Sequence, residues 1–134
     1  MAKWLVAALL AAVLTPAFAS TGKILYHLHS NEKSMYKRTV TNLENLHKGL
    51  SAETLDLRLI LQGKAIYLLD PSLHSPKLNQ RLQRLLDLGV QVEVSSANYQ
   101  ANRQRLSTQP VHQVDNIFKR IIELQNQGYQ YITP

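Results

Sequence analysis

The 134-residue chain contains no cysteine. That excludes disulfides, thiolate nucleophiles, cysteine-ligated metals and any persulfide carried by the chain itself. Glycine is scarce, at five residues. No phosphate-cradling glycine loop, dinucleotide fingerprint or Gly-x-Ser-x-Gly elbow is present. A His-Glu-x-x-His zinc pair is missing as well. Aspartate and glutamate number nine. None are paired where strand-end loops are expected, which leaves two-carboxylate hydrolysis without candidates. No apolar run reaches the roughly 20 residues that a membrane-spanning helix needs.

The longest apolar run is Trp4 to Leu14. Lys3 precedes it, Thr15-Pro16 breaks it, and Ala17-Phe18-Ala19 supplies small residues at the cleavage positions. This pattern predicts a signal peptide over residues 1–19, cut between Ala19 and Ser20, and a periplasmic domain over residues 20–134 with no membrane attachment. Those 115 residues make one domain by length. A chain of that size buries roughly two thirds of its unfolded surface, enough for one core without covalent staples. Loss of Lys3 lowers the 15 basic residues to 14, against nine acidic ones, for a net charge of +5. The basic residues are scattered over polar helix faces rather than interleaved with aromatics, so no nucleic-acid partner is expected.

What is present is an alternation of strand and helix patterns. Lys23 to His29 reads as the first strand, with Ser30 and Asn31 as capping residues for the helix after it. Tyr36, Val40, Leu43, Leu46 and Leu50 form one apolar stripe, and Gly49 stands near the helix end, where glycine accepts a left-handed backbone. Thr54 to Leu61 places four leucines on one face and Ile60 on the other, as in a strand covered on both sides. Lys64 to Leu69 suits one or two helical turns, stopped at Asp70-Pro71. Lys77 to Leu88 is a second amphipathic helix closed by Gly89. Val90, Val92 and Val94 alternate along a strand ending at Ser95-Ser96. Tyr99 to Leu106 reads as a short polar helix and Val111 to Val114 as a short strand. Asp115 is placed to cap a helix through Leu124, ended by Gly128, and Tyr129 to Ile132 is the last strand. The order predicts a mostly parallel five-stranded sheet with helices on both faces.

Ligands of such sheets bind beyond the carboxyl ends of the strands. The stretches to inspect are therefore His27 to Asn31, Gln62 to Ala65, Ser95 to Tyr99 and the region of Asp115. His27 and His29 lie two apart and share a face, so two imidazoles could share a metal. Zinc or copper wants further ligands, and only His74 and His112 are conceivable. The plainer reading packs His27 in the sheet–helix layer. Ser96 could act as a nucleophile with His27 or His29 as its base only if the first and third strands are neighbours. The plainer reading makes Ser96 the cap of the following helix. Tyr129 and Tyr131 share a face of the last strand and suit packing or an oligomer contact.

Four stretches also resemble the DsrE/DsrF-like family, in its exported single-domain branch. They are Lys23 to His29 (KILYHLH), Leu61 to Ala65 (LQGKA), Leu88 to Asn98 (LGVQVEVSSAN) and Leu124 to Pro134 (LQNQGYQYITP). The likeness covers essentially all of the expected mature chain. The resemblance implies a flavodoxin-like three-layer sandwich, homo- or hetero-oligomers and a link to sulfur relay or sulfur oxidation. Active members carry a cysteine at the end of the third strand. Here Ser96-Ala97-Asn98 stands at that position, and a hydroxyl cannot hold a persulfide sulfur. The expectation is a non-catalytic binding or assembly subunit with no sulfurtransferase activity, no cofactor and no resident metal. Its contacts to ligand or partner would come from His27, His29, Gly63, Ser96 and Asn98. An enzyme using Ser96 with His27, and a metal binder using His27 with His29, are the rival expectations.

Overall fold

The structure, a computed structural model, describes residues 22–50, 54–107 and 109–134. The expected signal peptide over residues 1–19 lies outside the described residues. Five strands form the frame: β1 (Lys23–Leu28), β2 (Asp56–Leu61), β3 (Gln91–Ser95), β4 (His112–Val114) and β5 (Gln130–Ile132). They pair in the spatial order β4-β3-β2-β1-β5, and every pairing is parallel. The sheet expected to be mostly parallel is therefore wholly so. Helices α1 (Lys33–Gly49), α2 (Pro76–Asp87), α3 (Ser96–Asn102) and α4 (Ile117–Asn126) link the strands, with 3₁₀ segments at Gly63–Leu69 and Pro71–Leu73.

From β1 to β4 the chain steps across the sheet in one direction. It then returns through α4 and lays β5 on the far side of β1. Right-handed crossovers place the outward-stepping helices on one face and the returning helix on the other. The core divides accordingly. Tyr26, Leu28, Leu59, Leu61, Val92 and Val94 meet Tyr36, Val40 and Leu43 of α1 and Leu82 and Leu85 of α2 in the larger cluster. On the opposite face a small cluster joins Leu25 and Ile60 to Ile117 and Leu124 of α4 and to Tyr129. Alternate residues of β2 thus enter both layers, as Leu57, Leu59, Leu61 and Ile60 indicated. Burying one such leucine contributes about 2 kcal/mol, so the thicker layer supplies most of the apolar stabilisation.

Several boundaries differ from the sequence reading, each for a local reason. Asn116, not Asp115, caps α4: its Oδ1 accepts from the amides of Phe118 at 3.0 Å and Lys119 at 3.1 Å. Glu32 is the residue before α1 and makes no side-chain cap, while Ser30 Oγ accepts from the Glu32 amide. Gly49 stays inside α1, and the left-handed glycines are Gly63, Gly89 and Gly128. The helix expected over 99–106 starts earlier, at Ser96, because Ser95 Oγ accepts from the Asn98 amide and starts the first turn there. Asp70 is buried. It accepts from the Ser72 amide and hydroxyl and from Arg105, which anchors the chain leaving α3 to the 3₁₀ segment.

The start of β1 is tightly built. A Cβ on Gly22 would stand 2.0 Å from the Thr54 carbonyl oxygen, well inside van der Waals contact. Both partners are backbone, so neither can swing away. We expect Gly22→Ala to lower stability by about 2–3 kcal/mol, read as a lower urea midpoint at unchanged slope. A midpoint equal to that of the wild type would show that the β1–β2 entry is looser than this packing implies.

Candidate functional site

All five residues singled out from the sequence lie at the carboxyl edge of the sheet, and they fall into two groups. The first surrounds His27, the fifth residue of β1. Burial leaves the side chain 7% exposed, yet both ring nitrogens have partners. Nε2 lies 2.7 Å from Gln62 Oε1 and Nδ1 lies 2.6 Å from the Tyr131 hydroxyl. Gln62 follows the end of β2, and Tyr131 is central in β5, so the imidazole ties together the two strands that flank its own. His29, one residue past β1 and exposed, sets its ring 5.5 Å from that of His27. The two histidines do share a face, as their spacing indicated.

The electrostatics of His27 fix its proton. Desolvation by burial is the largest influence and lowers its pKa below 6.5, the Gln62 hydrogen bond opposes this, and His29 adds to the lowering. The ring is therefore neutral at pH 7. An amide oxygen can only accept, so Nε2–H donates to Gln62 and Nδ1 accepts from the Tyr131 hydroxyl. With both nitrogens engaged, neither is presented to a metal. Among the described residues, no three histidine, aspartate or glutamate side chains converge into a metal-sized cluster.

The second group lies across β2, β3 and β4. Gly63 adopts φ +57°, a left-handed turn that lets the chain leave β2 sharply. Its carbonyl accepts from Asn98 Nδ2 at 2.9 Å, and Asn98 also accepts from Asn102. Ser96 opens α3, and its hydroxyl donates to the Val114 carbonyl at 3.4 Å. The capping role considered for Ser96 belongs to Ser95. The connections leaving β3 and β4 go to opposite faces, which makes this the switch point where such sheets hold ligands. A hollow of about 300 Å³ lies beside it, lined by Val114, Asp115, Asn116 and Arg120 among others.

Sequence order does not bring Ser96 and His27 together. β2 stands between β1 and β3. The adjacency required for a serine–histidine pair is absent, and His27 spends both nitrogens elsewhere. The enzyme reading built on Ser96 with His27 is corrected on that ground.

A third feature was not singled out from the sequence. Glu93, in the middle of β3, is completely buried on the α4 face. Arg120 of α4 donates to it at 2.6 Å, and Arg58 of β2 approaches within 3.6 Å. Arg58 also donates to Asp56 at 2.8 Å, and the Tyr129 hydroxyl donates to Asp56 as well. Burial opposes the charge on Asp56, but the Arg58 and Tyr129 bonds outweigh it and hold the carboxyl below its usual range. The signal was an acid flanked by two valines in a strand expected to be covered on both faces.

No family model matches the chain, and no curated protein does. Among solved structures, it is similar to MTH1491 from Methanobacterium thermoautotrophicum, with a TM-score of 0.69 at 19% identity over 84% of this chain and 99% of that one. It is also similar to BT1422 from Bacteroides thetaiotaomicron, with a TM-score of 0.65 at 11% identity over 88% of this chain and 99% of that one. Both are described as proteins of unknown function. At such identities the likeness establishes the fold alone. With the parallel sheet covered on both faces, it places the chain in the flavodoxin-like class of three-layer α/β sandwiches.

The histidine makes stability pH-dependent. In the unfolded chain it titrates near 6.5, and in the folded one lower. Below 6.5 the unfolded state binds the extra proton, so stability is full above that pH and is lost as the pH falls below it. We expect the urea midpoint to drop between pH 7 and pH 5.5, and His27→Gln to flatten part of that slope. Tyr131→Phe should cost about 1–3 kcal/mol by leaving Nδ1 without its donor. An identical pH slope in His27→Gln would remove the histidine from this role.

Proposed function

We propose that the chain is a DsrE/DsrF-like periplasmic protein that binds rather than transforms, linked to sulfur relay through a partner subunit or small ligand held at the carboxyl edge. The observation that supports this reading is the closed hydrogen bonding of the edge. His27 is tied to Gln62 and Tyr131, Asn98 to Gly63, and Ser96 to Val114. Such a rim is preorganised for contact, and His27 stands a strand away from Ser96 rather than beside it. The cysteine-free sequence agrees, since a persulfide needs a sulfur atom to carry it.

Assembly has its own support. β5 is an edge strand, and Tyr131 on it is 43% exposed. Phe118 and Ile122, four apart on α4, are 62% and 58% exposed. Aromatic and aliphatic side chains in such positions suit a subunit contact.

Incubation with a persulfide or thiosulfate donor should leave the intact mass of the wild type unchanged. Ser96→Cys should fold normally, because thiol and hydroxyl differ little in size, and should gain one sulfur atom where the switch-point pocket is still competent. A sulfur adduct on the wild-type chain would refute the non-catalytic reading. Light scattering at micromolar concentration should show self-association, and a monomer across the whole range would remove the homo-oligomer from the reading.

A further inference from the structure

The α1–α2 face carries a cavity that shares no residue with the strand-end site. Its volume is about 330 Å³, and Lys33, Lys37, Lys77 and Arg81 line it together with Leu73 and Leu78. Four of the chain's 15 basic residues thus border one hollow. His74 and Ser75 complete the wall.

The charge around it is unbalanced. Arg81 donates to Glu44 and to Thr41, which neutralises it and ties α2 to α1 beside the cavity. No carboxylate comes within 4.0 Å of the Lys33, Lys37 or Lys77 ammonium among the described residues. Glu32, next to Lys33 in sequence, does not line the cavity. Three uncompensated ammonium groups around one concavity repel one another unless an anion joins them. The Leu78 amide at the start of α2 is already taken, since Ser75 Oγ accepts from it at 3.1 Å. His74 is likewise held, its Nε2–H donating to the Tyr67 carbonyl at 3.0 Å and its ring edge-on to Tyr36. The polar wall is thus fixed and the three lysines are left to meet a ligand.

We propose that this cavity binds a small soluble phosphate monoester: a dianionic head among Lys33, Lys37 and Lys77, with an apolar body on Leu73 and Leu78. A lysine-rich site suits a compact, multiply charged oxyanion better than a planar carboxylate, which favours the arginine fork. A concavity of this volume holds a ligand of metabolite size rather than a flat lipid surface.

Phenyl phosphate is the probe, titrated into the full-length mature protein at low salt and slightly alkaline pH, and followed by amide chemical shifts and calorimetry. We expect saturable binding of one molecule per chain, with shifts centred on Lys33 to Lys37 and His74 to Arg81. Phenol should not bind, and inorganic phosphate should bind more weakly. Lys37→Gln combined with Lys77→Gln should weaken binding by roughly tenfold or more. The exposed pair Lys48→Gln with Arg103→Gln, which removes the same charge elsewhere, should change it less than about twofold. Equal losses in the two double variants would reduce the effect to net charge and overturn the site. So would the absence of saturation, or partition onto phosphatidic-acid vesicles without binding of phenyl phosphate. These outcomes leave the strand-end reading untouched, because none of its residues takes part.

Discussion

A carboxylate with no solvent exposure holds the thin side of this molecule together. Glu93 sits inside β3 beneath a ten-residue helix, and Arg120 from α4 and Arg58 from β2 converge on it. Water cannot offset its charge there, so the arginines must. Removing one partner from such a buried pair costs about 3–5 kcal/mol. The α4 layer contributes only a small apolar cluster around Ile117 and Leu124. That is too little greasy surface to fix a helix whose other side exposes Phe118 and Ile122. The ion pair supplies orientation where hydrophobic area is short, and it points in one direction only.

Consequences run from that anchor to the carboxyl edge. α4 leads through Gly128 and Tyr129 into β5, and Tyr129 is pinned to Asp56, itself paired with Arg58. The same charge network that seats the helix therefore sets the register at which β5 meets β1. That register opposes Leu25 to Tyr131 and brings the Tyr131 hydroxyl to His27. A buried histidine with both nitrogens engaged is thus a product of contacts made on the far half of the sheet. The thick layer under α1 and α2 is held mainly by apolar packing, with Arg81 of α2 tied to Glu44 and Thr41 of α1 beside it.

Much of the architecture was legible because period and length speak for themselves. The leucine alternation of β2, interrupted by Ile60, already described a strand covered on both faces. The stripe of Tyr36, Val40 and Leu43 described α1. Placing candidate residues at the ends of strands was also sound, since His27, Gly63, Ser96 and Asn98 all came to one edge. What stayed hidden was set by distance along the chain. His27 and Tyr131 are 104 residues apart. Nothing local shows that the last strand returns to the first. The valines of β3 declared their own face but not what Glu93 met on the other. Tandem Ser95-Ser96 left the cap uncertain by one position, and Asp115-Asn116 did the same, because either side chain has the right chemistry and only the backbone angle chooses. The missing neighbour of Ser96 followed from strand order, which alternation alone does not encode.

The central claim is that the Glu93 network on one side of the sheet sets the histidine on its edge. The nitrogen resonances of the His27 imidazole test it most directly, compared between wild type and Arg120→Ala at pH 7. We expect one neutral tautomer in the wild type, with the proton on Nε2, and an averaged or exchange-broadened imidazole in a folded Arg120→Ala. An unchanged His27 spectrum in that folded variant would contradict the claim, because the edge would then be assembled without the anchor.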